Sequence, residues 1–294
     1  MALRRFQLSH KLLLILLWSL GGILYCRHVS AQEKESKPKG KLFIIGGGNF
    51  VSVLLQDLLD QAKLAPGDYI AVLPMASEEP DSAYIGFRDD LQAFTKNSII
   101  NFNFRKGESQ IANKIDSLKQ AKLIFITGGD QSRLMAIILH TAIYSAIHAA
   151  YRNGSIVAGT SAGAAAMPRY MITGRELSDS VYHSTFPRLR DQDIDLGEGL
   201  DLVSNVIIDQ HFIVRSRYNR LISALVAHPT LTAIGIDEST AIIVNGRHIR
   251  VSGAGQVVIM QQPIDATFTP QGLLHLNSVQ LKILTAGDSF DLPW

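Results

Sequence analysis

The chain has 294 residues, 47% of them apolar and 18% charged, with a net charge of +2 and one cysteine, Cys26. That composition buries a sizeable core and excludes a disordered chain. The near-balanced charge gives nucleic acid no electrostatic reason to be a partner, and one cysteine cannot form an internal disulfide framework or a Cys-ligated metal site.

The elements read as follows in chain order. Arg4, Arg5 and Lys11 precede the apolar run Leu12–Leu24. Val29-Ser30-Ala31 then places small residues where a signal peptidase cuts. Residues 1–31 are therefore expected to be a signal peptide, with secretion or periplasmic release after cleavage near Ala31. The run is shorter than the roughly 20 apolar residues of a membrane span, and an uncleaved anchor is the alternative. A lipid on Cys26 is disfavoured because Leu24-Tyr25, not a small residue, precedes it. The polar segment 32–40 is expected to be a flexible linker, and 41–294 a single catalytic domain.

From there, strands alternate with helices. Strands are expected at Leu42–Ile45, Tyr69–Leu73, Ser98–Phe104, Leu123–Thr127 and Ser155–Ala158. Helices are expected at Val51–Leu64, about 81–96, Gln110–Gln120, about 131–152 and about 214–227. This alternation predicts an α/β fold, a parallel sheet with helices on both faces. Glycine turns at Gly46–Gly48, Gly128-Gly129 and Gly159 with Gly163 follow three strands, at the carboxyl edge where such sheets bind ligands. Residues 172–200 are irregular and are expected to form a long loop near the site. The last third has short strands at Ala233–Asp237, Ala241–Val244, His248–Val251 and Gln256–Met260, with the hairpin signal Asn245-Gly246. It predicts a hairpin-rich C-terminal edge.

Gly159-Thr160-Ser161-Ala162-Gly163 fits the nucleophile-elbow pattern, a serine on a sharp strand-to-helix turn. A serine needs a base, and of the nine histidines His211 closes an apolar run just past a strand end. There it is expected to share the sheet's carboxyl edge with Ser161. An orienting carboxylate is offered by Asp237 and Glu238, which alternate in direction if the strand continues, so spacing leaves the two open. The order serine, histidine, acid differs from the serine, acid, histidine order of α/β-hydrolases and weighs against a lipase or esterase. Arg215, Arg217 and Arg220 follow the histidine at the start of the expected helix, as either a solvated basic face or a carboxylate pocket.

Taken together, Gly159–Ala164, Thr127–Gln131, Asp209–Phe212 with the three arginines, and Gly235–Glu238 with Thr240 and Ala241 resemble the cyanophycinases of the S51 serine peptidase family. The resemblance spans about 42–244. It implies a flavodoxin-like sheet related to class I glutamine amidotransferases. It also implies Ser161, His211 and Glu238 as catalytic residues, choosing Glu238 over Asp237. The oxyanion hole would be the N–H groups of Gly129 and Ala162. Gln131, Asp209, Gln210, Arg215, Arg217 and Arg220 would bind substrate. The substrate implied is cyanophycin, an aspartate-rich polymer bearing arginine, cut to β-Asp-Arg dipeptides without metal or organic cofactor. A homodimer is implied as well. The rivals are an aspartyl or isoaspartyl dipeptidase and a non-catalytic exported binding protein. One departure stands out: Asn49 follows the first glycines where the family pattern leads one to expect Glu.

Overall fold

A computed structural model describes residues 37–293 except 109, 110 and 180. The expected signal peptide and the linker through residue 36 lie outside the described residues. The first half of the chain alternates strand and helix: β1 (Lys41–Ile45), α1 (Ser52–Ala62), β2 (Tyr69–Leu73), α2 (Pro80–Gln92), β3 (Ser98–Asn101), α3 (Ala112–Gln120), β4 (Leu123–Ile126), α4 (Gln131–Ile138), α5 (Ala142–Asn153), β5 (Ile156–Thr160) and α6 (Ala162–Ala165). The second half is mostly strands: β6 (Tyr170–Glu176), β7 (Ile194–Glu198), β8 (Val206–Gln210), α7 (Tyr218–Ala227), β9 (Thr232–Ile236), β10 (Thr240–Asn245), β11 (His248–Gly253), β12 (Val257–Ile264), β13 (Thr267–Phe268), β14 (Leu274–His275), β15 (Ser278–Leu284) and β16 (Ser289–Asp291).

The main sheet runs β16-β11-β10-β1-β5-β4-β2-β3. Strands β1 to β5 are mutually parallel, and β10, β11 and β16 extend the β1 edge antiparallel. Counted from β2, the parallel strands follow the flavodoxin order 2-1-3-4-5, with the chain's first strand carried to the far position. A second sheet runs β15-β12-β9-β8, in which only β8 and β9 are parallel.

That second sheet corrects the expectation that His211 ends a strand of the same sheet as Ser161. The apolar pattern could not distinguish the two arrangements, because β8 and β9 are buried on both faces. Val206, Ile208, Ile234 and Ile236 share a core with Leu42 and Ile44 of β1. Ile207 and Ala233 point the other way, towards Leu221, Ala224 and Leu225 of α7. On the opposite side of the main sheet, Phe43 and Ile45 pack on Leu54 and Leu58 of α1 and Phe87 and Leu91 of α2. Each such buried aliphatic or aromatic side chain contributes about 1.5–3 kcal/mol.

Three further expectations change. The helix read at 131–152 is two helices, because His140 adopts a left-handed φ of 56° and the Thr141 Oγ accepts the Ile143 N–H at 3.2 Å, capping α5. The helix read from 214 starts at Tyr218, so Arg215 lies in the preceding turn. The long loop at 172–200 is in part a hairpin, β6 paired with β7, whose register shifts between Ile172 and Glu176.

The carboxyl ends of the two sheets meet at Gly46. Its carbonyl accepts the His211 N–H at 2.7 Å, while the Ser161 N–H reaches Ile45 O at 3.1 Å.

Candidate active site

The serine sits where β5 turns into α6. Its backbone has φ 53° and ψ −109°, a conformation that L residues hold only when their surroundings impose it. The flanking glycines explain how. A Cβ on Gly159 would lie 2.7 Å from the Gly163 carbonyl, and one on Gly163 would lie 2.5 Å from the Ile126 carbonyl. Only bare backbone lets α6 settle this close to β4 and β5, and the tight turn lifts Ser161 onto the sheet's edge.

Ser161 Oγ lies 2.8 Å from His211 Nε2, and His211 Nδ1 lies 2.6 Å from Glu238 Oε1. An ionised carboxylate only accepts, so Nδ1 carries the proton and Nε2 keeps its lone pair for the serine hydroxyl. Asp237 is occupied elsewhere. Its Oδ1 accepts the N–H groups of Ile213 and Val214, both at 3.1 Å, and caps the turn that follows the histidine.

The glycine loop after β1 makes room for this pair. A Cβ on Gly47 would lie 2.3 Å from the His211 ring, and one on Gly48 would lie 2.7 Å from Glu238 Cβ. The sequence had offered these glycines as a ligand turn; their role is to seat the imidazole and carboxylate. At Asn49, the departure from the family pattern, the backbone carbonyl accepts the Ser239 hydroxyl at 2.9 Å, a bond that any residue there could accept. Burial pushes the His211 pKa below its ordinary value; the Glu238 hydrogen bond opposes this, and the charges of Arg215 and Arg217 add to it. The imidazole is thus neutral near neutral pH and able to take a proton.

Beside Ser161 opens a cavity of about 580 Å³. Of the expected substrate residues, Gln131, Gln210, Arg215, Arg217 and Arg220 line it, together with Gly129. Asp209 does not. It is fully buried and pairs with Arg220 through both carboxylate oxygens, Nε reaching Oδ2 at 2.8 Å. Its part is to hold the arginine. Arg217 is also buried, donating to the Gln210 carbonyl at 2.8 Å and to the Tyr182 hydroxyl at 3.2 Å. Burial, then the charge of Arg220, lower the Arg217 pKa, as befits a cluster with more positive charge than Asp209 neutralises. Arg215 stands exposed on the rim. Gln131 uses its amide N–H groups on the carbonyls of Ile172 and Thr173, at 2.7 and 2.9 Å, which ties α4 to the hairpin.

That hairpin and its loop supply five lining residues that sequence reasoning missed, Thr173, Gly174, Arg175, Tyr182 and Asp195, and the start of α4 supplies two more, Asp130 and Ser132. Arg175 pairs with Asp195 at 2.8 Å. The one available signal was the position of the irregular segment, since a register shift leaves no clean alternation to read. As for the expected oxyanion donors, Gly129 lies on the cavity wall with Ser161, and Ala162 is the buried first residue of α6. A Cβ on Gly129 would lie 2.2 Å from the Ala76 carbonyl, so this turn too is pressed against its neighbour.

A hydroxyl bonded to an oriented imidazole, on a mixed sheet flanked by helices, is the apparatus of a serine-type peptidase. The profile of Peptidase family S51 matches residues 42–252, and the chain belongs to that family. It is 35% identical over 235 residues to a cyanophycinase from Trichormus variabilis, covering 76% of this chain and 75% of that protein. A cyanophycinase from Synechococcus elongatus is 32% identical over 271 residues, covering 88% of this chain and 81% of that protein. The crystal structure of a peptidase from an acI-B1 Actinobacterium has the same fold, with a TM-score of 0.64 at 22% identity, covering 87% of this chain and 98% of that one.

Proposed function

We propose that the chain is a cyanophycinase, hydrolysing multi-L-arginyl-poly-L-aspartate to β-Asp-Arg dipeptides. The observation that carries this reading is the Ser161–His211–Glu238 chain of hydrogen bonds opening directly into a cavity lined by buried Arg217 and Arg220. Guanidinium groups held in place bind carboxylates, and each repeat of this polymer carries a free one on its arginine. The cyanophycinases among the relatives support the same substrate.

In the proposed mechanism His211 takes the Ser161 proton as Oγ attacks the scissile carbonyl carbon. The developing oxyanion is met by the N–H groups of Gly129 and Ala162. His211 returns the proton to the leaving amine, and water, activated by the same imidazole, frees the acyl-enzyme. Glu238 holds the tautomer and stabilises the imidazolium. Gln131, Gln210, Arg215, Arg217 and Arg220 position the substrate, and Asp209 positions Arg220.

Incubation of the protein with cyanophycin, read by mass spectrometry, should yield β-Asp-Arg. Ser161→Ala should lower kcat by roughly 10⁴-fold or more at an unchanged melting temperature. Turnover of short aspartyl peptides with the polymer untouched would replace the reading with that of a dipeptidase. We also propose that residues 41–294 form one catalytic domain, exported after cleavage near Ala31. The basic and apolar pattern at the N-terminus supports this, and N-terminal sequencing of protein from its host that returned Met1 would overturn it.

A further inference from the structure

A second cavity, of about 410 Å³, reaches Thr160, the residue before Ser161, and shares no lining residue with the arginine pocket. The two meet across Gly128-Gly129 and Thr160-Ser161: the first residue of each pair lines the second cavity, and the other lines the arginine pocket. Both cavities therefore border the turn that carries Ser161.

The character of this cavity is opposite to its neighbour's. Asp90, at the end of α2, is its only charged lining residue and is exposed. Asp90 has no ion-pair partner among the described residues, since nearby Arg88 pairs with Asp89 at 2.6 Å. Phe50 forms part of the wall, its ring fixed edge-on against Phe87 and Phe125 with centroids 5.7 and 5.8 Å away. A fixed aromatic ring with a free carboxylate is a setting for an organic cation.

Gly86 is an independent observation. It lies in the interior of α2, where glycine is a poor helix former, and its φ needs no glycine. A Cβ there would meet nothing within 4 Å, so no close packing demands it either. What a side chain at 86 would enter is the cavity that Gly86 lines.

We propose that this cavity is a subsite for a cationic side chain, a guanidinium or an ammonium, carried by the substrate residue across the scissile bond from the carboxylate held by Arg217 and Arg220. The proposal rests on the peptidase reading above and adds to it the recognition of that substrate residue.

The test compares two aspartyl peptides that differ only in carrying arginine or its neutral isostere citrulline at that residue. The parent should favour arginine by about tenfold in kcat/KM, the scale of one charge-assisted contact. Asp90→Asn should bring that ratio close to one. Gly86→Leu should cut kcat/KM for the arginine peptide at least tenfold while the melting temperature holds or rises, the reverse of what loss of a structural glycine does. A ratio unchanged in Asp90→Asn, or an arginine-peptide rate within twofold of the parent in Gly86→Leu, overturns the subsite. If the parent cleaves neither peptide, the cyanophycin reading fails on its own, and calorimetric binding of L-argininamide then decides. Binding that both variants weaken upholds the subsite, and binding absent from the parent or unaltered in both variants overturns it.

Discussion

The half of the site that carries the proposed nucleophile and the half that carries the proposed base are built in different ways. Ser161 is positioned by five consecutive residues, Gly159 to Gly163, clamped between β1 and β4. His211 and the arginines stand on a second sheet, and their placement depends on distant parts of the chain: the Gly46 carbonyl, the bare face of Gly47, and the buried Asp209–Arg220 pair. A nucleophile can thus be specified locally, whereas a base must be delivered by the tertiary fold. Damage to the base half should therefore appear in stability and geometry as well as in chemistry.

The largest effect is expected at the buried ion pair. Arg220→Met leaves the Asp209 carboxylate uncompensated except by Arg217, 3.6 Å away. Breaking such a pair costs about 3–5 kcal/mol, which a shift in urea midpoint would measure. Adding Asp209→Asn should recover more than half of that stability without restoring activity, because the stranded charge is gone but the arginine is not returned. Equal midpoints in the single and double variants would show that Asp209 does not need its partner.

Gly47→Ala should lower stability, because alanine is strained at φ 110° and its Cβ would overlap the buried ring, and should reduce kcat/KM roughly 100-fold, since moving the imidazole by about 1 Å spoils the attack geometry. Gly67→Ala is the control: it shares a positive φ, 92° against 110°, but its Cβ would meet nothing within 4 Å. Similar activity losses in both variants would trace the effect to backbone strain, not to the ring.

The smallest effect concerns pH. In its proposed role as base His211 must be neutral, and its pKa is depressed first by burial and then, against Glu238, by the Arg215 charge. The acid limb of kcat/KM should therefore lie below the ordinary histidine value, with activity present above it and lost as pH falls through it. Arg215→Gln removes one depressing charge and should move that limb up by a fraction of a pH unit. A limb that stays put would place Arg215 too far into solvent to matter.

The elbow and the alternation of strands and helices were legible because their determinants are local: glycines, β-branched runs and helical spacing. Glu238 against Asp237 was not decidable from spacing, because what separates them is the demand of the Ile213 and Val214 N–H groups for a cap. The split into two sheets was hidden for a different reason. Val206-Ile207-Ile208 is apolar on both faces wherever it is placed, so its pattern is silent about which neighbour it pairs with. The hairpin over the pocket was hidden by its bulge, since period-two reading fails where the register slips.

The pairing of β10 with β1 has a consequence in time. Leu42 is paired with Val244, and the loop between them contains both Ser161 and His211. On a chain still being synthesised, the serine elbow exists long before Glu238 and β10 emerge to close the sheet beside it. A contact so distant along the chain forms late and slowly. If the proposed roles hold, the newborn polypeptide carries the proposed nucleophile without its proton acceptor in place, and hydrolytic power is expected only with completion of the fold. Recovery of peptidase activity during refolding is then a clock for the last long-range strand pairing.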